Sequence, residues 1–429
     1  MTATVGILTE RMILGFGVDL VVHETARRLA ARGFAPTVFT TRVDDTFQAA
    51  PYPIVDLTAT AGEHDVFSRA FMVETLPRLA SRGVDAWLVE TPPFYHWLPH
   101  LPGPVVCVEH GTPPGSFFPR RLGRRIDALT VSRYREVYGR LRPGDGVVAI
   151  SQYIRSCLPP AVRERAVVIH NGADHYPLAT AEEAAAFRRQ LGIGEDQVMV
   201  LWVGRAELAN DLQPYKGFRE LLTLAPRLVA AVPQVRVVVV GRGDDAARQA
   251  MVRAGITVAF SLPRPTMPAA LRAADLLLST SRWEGFNLPL AEAQFQGTPV
   301  VAYRLCAHPE VVADGVSGVL VERREELLEA AVHLARDKER RQALSAGARA
   351  VAARFSWDAN ADALAAYLRR CLEERQDSAA APAPLPAKDL RYYGNVVVQI
   401  LRQEGPLALA WAVASGMRKR LRRLLSSGQ

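Results

Sequence analysis

Residues 275–302 read Asp275-Leu-Leu-Leu-Ser-Thr-Ser-Arg-Trp-Glu-Gly-Phe-Asn-Leu-Pro-Leu-Ala-Glu-Ala-Gln-Phe-Gln-Gly-Thr-Pro-Val-Val-Ala302. A short aliphatic run, Asp275–Ser279, predicts a strand, and a polar loop then leads into a helix that starts near Leu288. Gly297-Thr-Pro299 stops that helix, and Pro299–Ala302 predicts a second strand. Neither strand alternates apolar with polar residues. Such runs belong to parallel strands covered on both faces, and two of them joined by a helix make a β-α-β unit.

The same alternation extends in both directions. Towards the N-terminus, Ile256–Phe260, Val235–Val240 and Val198–Val203 predict strands, separated by helical stretches Met267–Ala274 and Gly217–Ala231; Gly318–Val321 follows on the other side. Before the turn His170-Asn-Gly-Ala-Asp174 lies an independent series. Val5–Leu8, a helix over Val18–Ala31 stopped by Gly33, and Thr37–Thr40 open it, and Ala86–Val89, Val105–Val108 and Gly146–Ile150 continue it. The predicted fold is therefore α/β with two Rossmann-like domains, 1–174 and 175–356. Helical patterns over Glu325–Ala353 and Asp358–Glu374 complete the body, the latter within a separate segment 357–375. A Pro/Ala-rich linker, 376–387, precedes a C-terminal helical tail, 388–429.

Composition restricts the function classes. The 429 residues are 49% hydrophobic and 22% charged, ordinary for a globular protein with two domains. The four cysteines, Cys107, Cys157, Cys306 and Cys371, form no C-x-x-C pair, so neither a disulfide framework nor a zinc site is expected, and a reducing cytoplasm is the expected compartment. No leader-like or membrane-spanning run of apolar residues is present. Of the formal net charge of +8, six units come from 388–429, where eight Lys/Arg face two acids. The body is nearly neutral, and without RNA-binding aromatics or zinc-finger spacing no nucleic-acid partner is expected.

The chemistry is concentrated in Trp283–Glu292, where Glu284 and Glu292 lie on either side of a predicted helix start. Asn287 is a candidate N-cap and Pro289 suits the first turn, so amides around Phe286–Leu288 are expected at a helix N-terminus, a natural phosphate site. Glu292, about a turn inside, is placed to accept hydrogen bonds from a ribose, and Glu284 from sugar hydroxyls.

This segment, with Gln296-Gly-Thr-Pro-Val-Val301, resembles the retaining GT-B glycosyltransferases of family 4, in which E-G-F-x-L-P-x-x-E precedes a G-T-P-V-V strand. Val203-Gly204-Arg205 with Lys216-Gly217, Val148–Ser151 with Val168–Gly172, His308–Gly318 and Phe355-Ser-Trp357 extend the resemblance over roughly residues 1–375. It implies an acceptor domain and a nucleotide-sugar donor domain facing each other across a cleft, with 357–375 crossing back to the first. Carried over residue by residue, Arg205 and Lys216 hold the donor diphosphate, with Gly204 beside them. Gly285, Phe286, Asn287 and Leu288 contribute the donor-binding loop, Glu292 contacts the ribose and Glu284 the sugar. Gly15 and Gly17 flank a turn that admits donor phosphate or acceptor, and His110 faces the donor sugar. The expected enzyme is a hexosyltransferase using a nucleoside-diphosphate sugar, with a glycan, lipid-linked or small molecule as acceptor. No D-x-D occurs, so no metal and no further cofactor is expected. The connection between Arg205 and Lys216, ten residues long, exceeds the family's usual spacing.

Other classes fit less well. A nicotinamide oxidoreductase requires G-x-G-x-x-G, and Leu20 occupies the sixth position of Gly15-Phe-Gly-Val-Asp-Leu20. A non-catalytic sugar-nucleotide-binding protein would lack site residues that are present here. Trp87, Tyr95, His96 and Trp97 suit core or rim packing better than an acceptor cleft. In the tail, Pro406–Leu425 places apolar residues before and among Arg418-Lys-Arg-Leu-Arg-Arg423, the pattern of an interfacial helix on an anionic membrane. Docking of the same leucines on protein is the alternative. Gly405–Met417, its longest uncharged run, is too short to span a bilayer.

Overall fold

The structure, a computed structural model, describes residues 2–13, 15–47, 49–58, 65–209, 211–376 and 381–389, with Gly394. The first sheet contains β1 (Ala3–Leu8), β2 (Phe34–Thr40), β3 (Ile54–Asp56), β4 (Ala86–Val89), β5 (Val105–Glu109), β6 (Gly146–Ala149) and β7 (Val167–Val168). Their order is β3-β2-β1-β4-β5-β6-β7, parallel throughout. The second sheet contains β8 (Val198–Ala206), β9 (Val235–Gly243), β10 (Thr257–Phe260), β11 (Leu276–Leu278), β12 (Val300–Tyr303) and β13 (Gly318–Val321). Its order is β10-β9-β8-β11-β12-β13, also parallel. These are two Rossmann-like units, each with its own reversal of strand order, at β1/β4 and at β8/β11. Open parallel sheets bind ligands beyond the carboxyl ends of the strands at such reversals.

β3 and β7 were not expected from sequence. They are edge strands of three and two residues, too short for a hydrophobic run to reveal them. The single helix expected over Glu325–Ala353 is two helices, Arg324–Arg336 and Lys338–Ala352. Asp337 leaves helical geometry at φ −102°, ψ 92°, and its carboxylate accepts a hydrogen bond from the Arg340 amide, so it caps the second helix instead of continuing the first.

One apolar cluster runs from Val5, Ile7 and Val22 of the first unit through Phe286 and Phe355 to Leu277 and Val300 of the second. The helix Trp357–Gln376 is what closes it. Trp357 is fully buried; its amide donates to Asp174 Oδ1 (2.8 Å) and its indole to His175 Nδ1 (3.2 Å). Further along, the Val147 amide donates to the Tyr367 hydroxyl (3.1 Å), and Arg28 and Arg32 pair with Asp358 and Asp362. The C-terminal helix thus packs on the N-terminal sheet. The chain beyond it also follows the first unit: the Ala383 amide donates to the Pro99 carbonyl, and Lys388 and Asp389 pair with Glu74 and Arg69. Among the described residues no helix is long and apolar enough to cross a membrane; residues 406–425 lie outside them.

Burial and charge can be weighed against each other on this one helix. Trp357→Ala should destabilise the protein by ~3–5 kcal/mol through the cavity it leaves. Arg32→Ala, whose partners Asp358 and Asp362 are 67% and 70% exposed, should cost under ~1 kcal/mol. Urea unfolding of the two variants checks the ranking.

Candidate active site

The loop after β11 enters the helix Leu288–Phe295 against the first unit. A Cβ at Gly285 would lie 2.3 Å from the His110 carbonyl oxygen, and one at Gly111 would lie 3.1 Å from the Trp283 ring. The two walls of the cleft touch here, and only glycine permits it. Asn287 stands at the helix start but does not cap it. At φ 74° it turns the chain left-handed, and its side-chain amide donates to His308 Nε2 (2.9 Å), whose Nδ1–H is committed to the Tyr303 carbonyl (2.7 Å). The expected side-chain cap is therefore corrected: a buried histidine with one free acceptor nitrogen takes the amide, and the first turn, with Pro289 in it, remains uncapped. Leu288 faces the Gly15–Gly17 turn, with its Cδ1 3.5 Å from the position a Gly17 Cβ would take. The Phe286 side chain does not face the cleft opening; it packs on His170 and edge-on against Phe355 at the interdomain segment.

Glu284, 5% exposed, accepts two hydrogen bonds from Lys216 Nζ, at 2.8 and 3.0 Å. The long connection from Arg205 does not prevent this. Pro214–Lys216 forms a tight turn, Gly217 takes φ 72° where a Cβ would lie 2.1 Å from the Thr280 carbonyl oxygen, and Thr280 Oγ1 donates to the Lys216 carbonyl. The strut holds the lysine beside the glutamate. Arg205, near the end of β8, stands 4.2 Å from the Phe16 ring centroid, with Glu207 3.7 Å from its Nε. Gly204 lies before it, where the β9 backbone comes so close that a Cβ on Gly241 would be 1.9 Å from the Gly204 carbonyl oxygen.

Glu292 points to a different environment. It is 7% exposed, and its nearest charged or titratable contact is His175 Nε2 at 3.4 Å. Burial pushes its carboxyl up to about 7, against a smaller pull from Arg264. Burial pushes His175 down to about 3, so this imidazole is neutral and does not compensate the carboxylate. His110 follows β5, and its Nε2 lies 2.8 Å from the Oε2 of Glu90, which is 1% exposed at the end of β4. Beside this pair, Glu109 and Arg133 are also buried, 3.5 Å apart. The Tyr95 hydroxyl lies 2.7 Å from the Glu90 carbonyl and 2.9 Å from that of Val108, while Trp87 and Trp97 are core.

Glu90 and Glu310 had not been singled out from sequence. The Glu310 carboxylate accepts from the Gln152 and Tyr153 amides, both at 2.7 Å, and contacts His170 Nε2 at 3.1 Å, binding the second unit to the first. Burial works to raise its pKa, but His170 and the two amides outweigh burial and hold it below the ordinary range. The available signal was positional: Glu90 directly follows an apolar strand at a sheet reversal.

Two parallel Rossmann-like sheets joined by a returning C-terminal helix, with glutamate, lysine and arginine side chains gathered at their reversals, define a glycosyltransferase of the GT-B type. Comparison with known proteins carries this to a family. Residues 17–176 match the family described as Glycosyltransferase Family 4, and residues 183–351 match glycosyl transferases group 1. A D-inositol 3-phosphate glycosyltransferase of Geodermatophilus obscurus is 33% identical over 87% of this chain and 89% of the relative. Another from Segniliparus rotundus is 30% identical over 83% and 85%. The fold is similar to that of sucrose-phosphate synthase from Thermosynechococcus elongatus (TM-score 0.70, 19% identity, 86% of this chain and 99% of that one). It is similarly close to Anabaena HepE in complex with UDP-glucose (TM-score 0.68, 20% identity, 85% and 99%). The chain belongs to the group 1, family 4 glycosyltransferases.

The environment of Glu292 has a measurable consequence. Its proton is held more tightly in the folded protein than in the unfolded chain, so this group's contribution to stability declines as pH rises from about 4.5 through about 7. Glu292→Gln keeps the shape and removes the charge. In the ligand-free protein it should be more stable than wild type by ~3 kcal/mol at pH 8, with the gain shrinking below ~1 kcal/mol at pH 5. Urea titrations at the two pH values check it; an equal difference at both would place the carboxyl elsewhere.

Proposed function

We propose that the enzyme transfers a sugar from a nucleoside diphosphate to a hydroxyl acceptor with retention of anomeric configuration and without a metal ion. The contact of Gly285 with the His110 carbonyl carries the transfer reading, because it brings the glutamate loop of the second sheet and the histidine of the first together where the two walls of the cleft meet. Arg205, Lys216 and the amides around Phe286–Leu288 hold the diphosphate, Glu292 the ribose and Glu284 the sugar, with His110 facing it. In the reaction the bond from the anomeric carbon to the phosphate oxygen breaks, and the acceptor oxygen bonds to the same face. The acceptor proton passes to the departing phosphate oxygen. Negative charge grows on that phosphate, and guanidinium, ammonium and helix amides stabilise it. Among the described residues no group of three His, Cys, Asp or Glu side chains is placed to hold a metal. Since relatives at 30–33% identity are named D-inositol 3-phosphate glycosyltransferases, a phosphorylated polyol is the first small-molecule acceptor to try, beside glycan and lipid-linked acceptors.

A thermal-shift panel of UDP, GDP, ADP and their sugars identifies the donor, because a ligand of the native state raises the midpoint. With that donor, proton NMR of the product should show the donor's anomeric configuration, and EDTA should leave the rate unchanged. An inverted linkage, or activity lost to EDTA and restored by Mg²⁺ or Mn²⁺, contradicts the corresponding half of the mechanism.

We further propose that the basic tail, 406–425, brings the enzyme to the cytoplasmic face of a membrane, where glycolipid or polysaccharide acceptors are presented. The sequence of the tail supports this reading, with Leu407, Leu409, Trp411 and Val413 ahead of Arg418-Lys-Arg-Leu-Arg-Arg423. Full-length protein should co-sediment with anionic vesicles at low salt, less so at high salt, and a chain ending at Ala387 should not. Equal binding by both forms, or by neither, assigns the tail to docking on protein.

A further inference from the structure

Three arginines gather at the Gly15-Phe16-Gly17 turn, and only one of them has a role by family resemblance. Arg11 and Arg205 each place a guanidinium over the Phe16 ring, 4.0 and 4.2 Å from its centroid. Arg242, at the end of β9, approaches so closely that a Cβ on Gly15 would lie 3.1 Å from its Nε. Arg11 belongs to the first unit, the other two to the second. Arg11 is ion-paired with Glu10 and Asp19, at 3.6 and 3.5 Å, and Arg205 with Glu207 at 3.7 Å, all longer than hydrogen-bond contact. The buried Arg11 Nε has no hydrogen-bond partner, and among the described residues no ion pair is formed by Arg242. Burial lowers the Arg205 pKa, and the Arg11 and Arg242 charges push the same way against Glu207. Three guanidiniums thus meet at a sheet reversal around one π face, Arg242 exposed and Arg11 Nε without a hydrogen-bond partner, and their N–H groups are available to an anion. A cation–π contact with the ring is weaker and less directional than a charge-assisted bidentate hydrogen bond to phosphate.

We infer that Arg11, Arg205 and Arg242 form a phosphate-binding cradle spanning both domains, with the Phe16 ring as its occupant until a phosphate group displaces it. Gly15, at φ 92°, and Gly17 flank the phenylalanine and give the turn the freedom to release the ring. The occupied cradle joins Arg11 of the acceptor side to Arg242 of the donor side, so phosphate binding and closure of the cleft become one event. The inference rests on the nucleotide-sugar reading and extends it by two residues. The phosphate is either the donor's diphosphate or a phosphomonoester on the acceptor.

Calorimetry on the full chain separates these sources, using the nucleoside and nucleoside diphosphate found by the thermal-shift panel, pyrophosphate, and inorganic phosphate added to diphosphate-saturated enzyme. For the donor diphosphate, Arg11→Gln and Arg242→Gln should each weaken diphosphate and pyrophosphate binding tenfold or more and leave nucleoside binding unchanged. For an acceptor phosphate, diphosphate binding should stay within twofold, while binding of inorganic phosphate to the saturated enzyme is lost. Phe16→Ala should tighten the affected probe at least threefold. Wild-type affinities for every phosphate probe in both arginine variants overturn the cradle, and unchanged or weaker binding in Phe16→Ala overturns the role of the ring. If wild type binds pyrophosphate but no nucleotide, the nucleotide-sugar reading fails while the cradle is still judged by the pyrophosphate arm. The thermal midpoints of the unliganded variants report folding.

Discussion

A backbone carbonyl of the first domain, that of His110, occupies the space where a side chain at position 285 would begin. Much of the cleft depends on that approach. It sets Trp283 against Gly111 and holds the start of the helix Leu288–Phe295 opposite the Gly15–Gly17 turn. It also leaves Glu284 where Lys216 can reach it. Two further contacts hold the same closure from behind, the Glu310 carboxylate on the helix Gln152–Cys157 and the packing of Phe286, His170 and Phe355. A peptide oxygen cannot move aside as a long side chain can, so a side chain at 285 requires the backbone of one wall to shift.

The distribution of charge around the cleft is uneven. Glu284 and Lys216 satisfy each other. Glu292 is buried beside an uncharged histidine, and about Phe16 the ion pairs of Arg11 and Arg205 are long, at 3.5–3.7 Å. A buried carboxyl such as that of Glu292 destabilises the protein that carries it unless a partner arrives. In the proposed function the carboxylate would meet the ribose and the guanidiniums the phosphates of one ligand. Under the proposed function, hydroxyl donors reaching Glu292 would relieve a cost already present in the free protein, which is preorganisation in energetic terms.

Long-range partners were the least legible part of the sequence. Strands that are apolar along their whole length announced themselves: Gly318–Val321 is found with the bounds read from its residues, and Ala86–Val89 likewise. The two short edge strands did not, and the continuous periodicity around Asp337 hid a break that one carboxylate creates. Glu284 and Glu292 were visible because Gly285, Pro289 and Gly297-Thr-Pro299 mark a local strand, loop and helix. Glu90, which meets His110 across two strands, and Glu310, which meets Gln152 across the domains, depend on tertiary approach. Asn287 shows the reverse failure. Its type suits a cap, but the left-handed backbone and His308 assign its side chain elsewhere.

The return of Trp357–Gln376 to the first sheet makes the structural halves differ from the halves of the gene. The N-terminal domain is completed by the last described helix, whose Tyr367, Leu364 and Leu368 join its core. A hybrid that borrows another enzyme's second unit through a single crossover near Asp174 would import a foreign final helix with it, and that helix would have to fit a sheet it did not evolve with. Recombination that respects the packing needs two junctions, one near Asp174 and one near Phe355. The second unit then behaves as a cassette inserted into a discontinuous first domain.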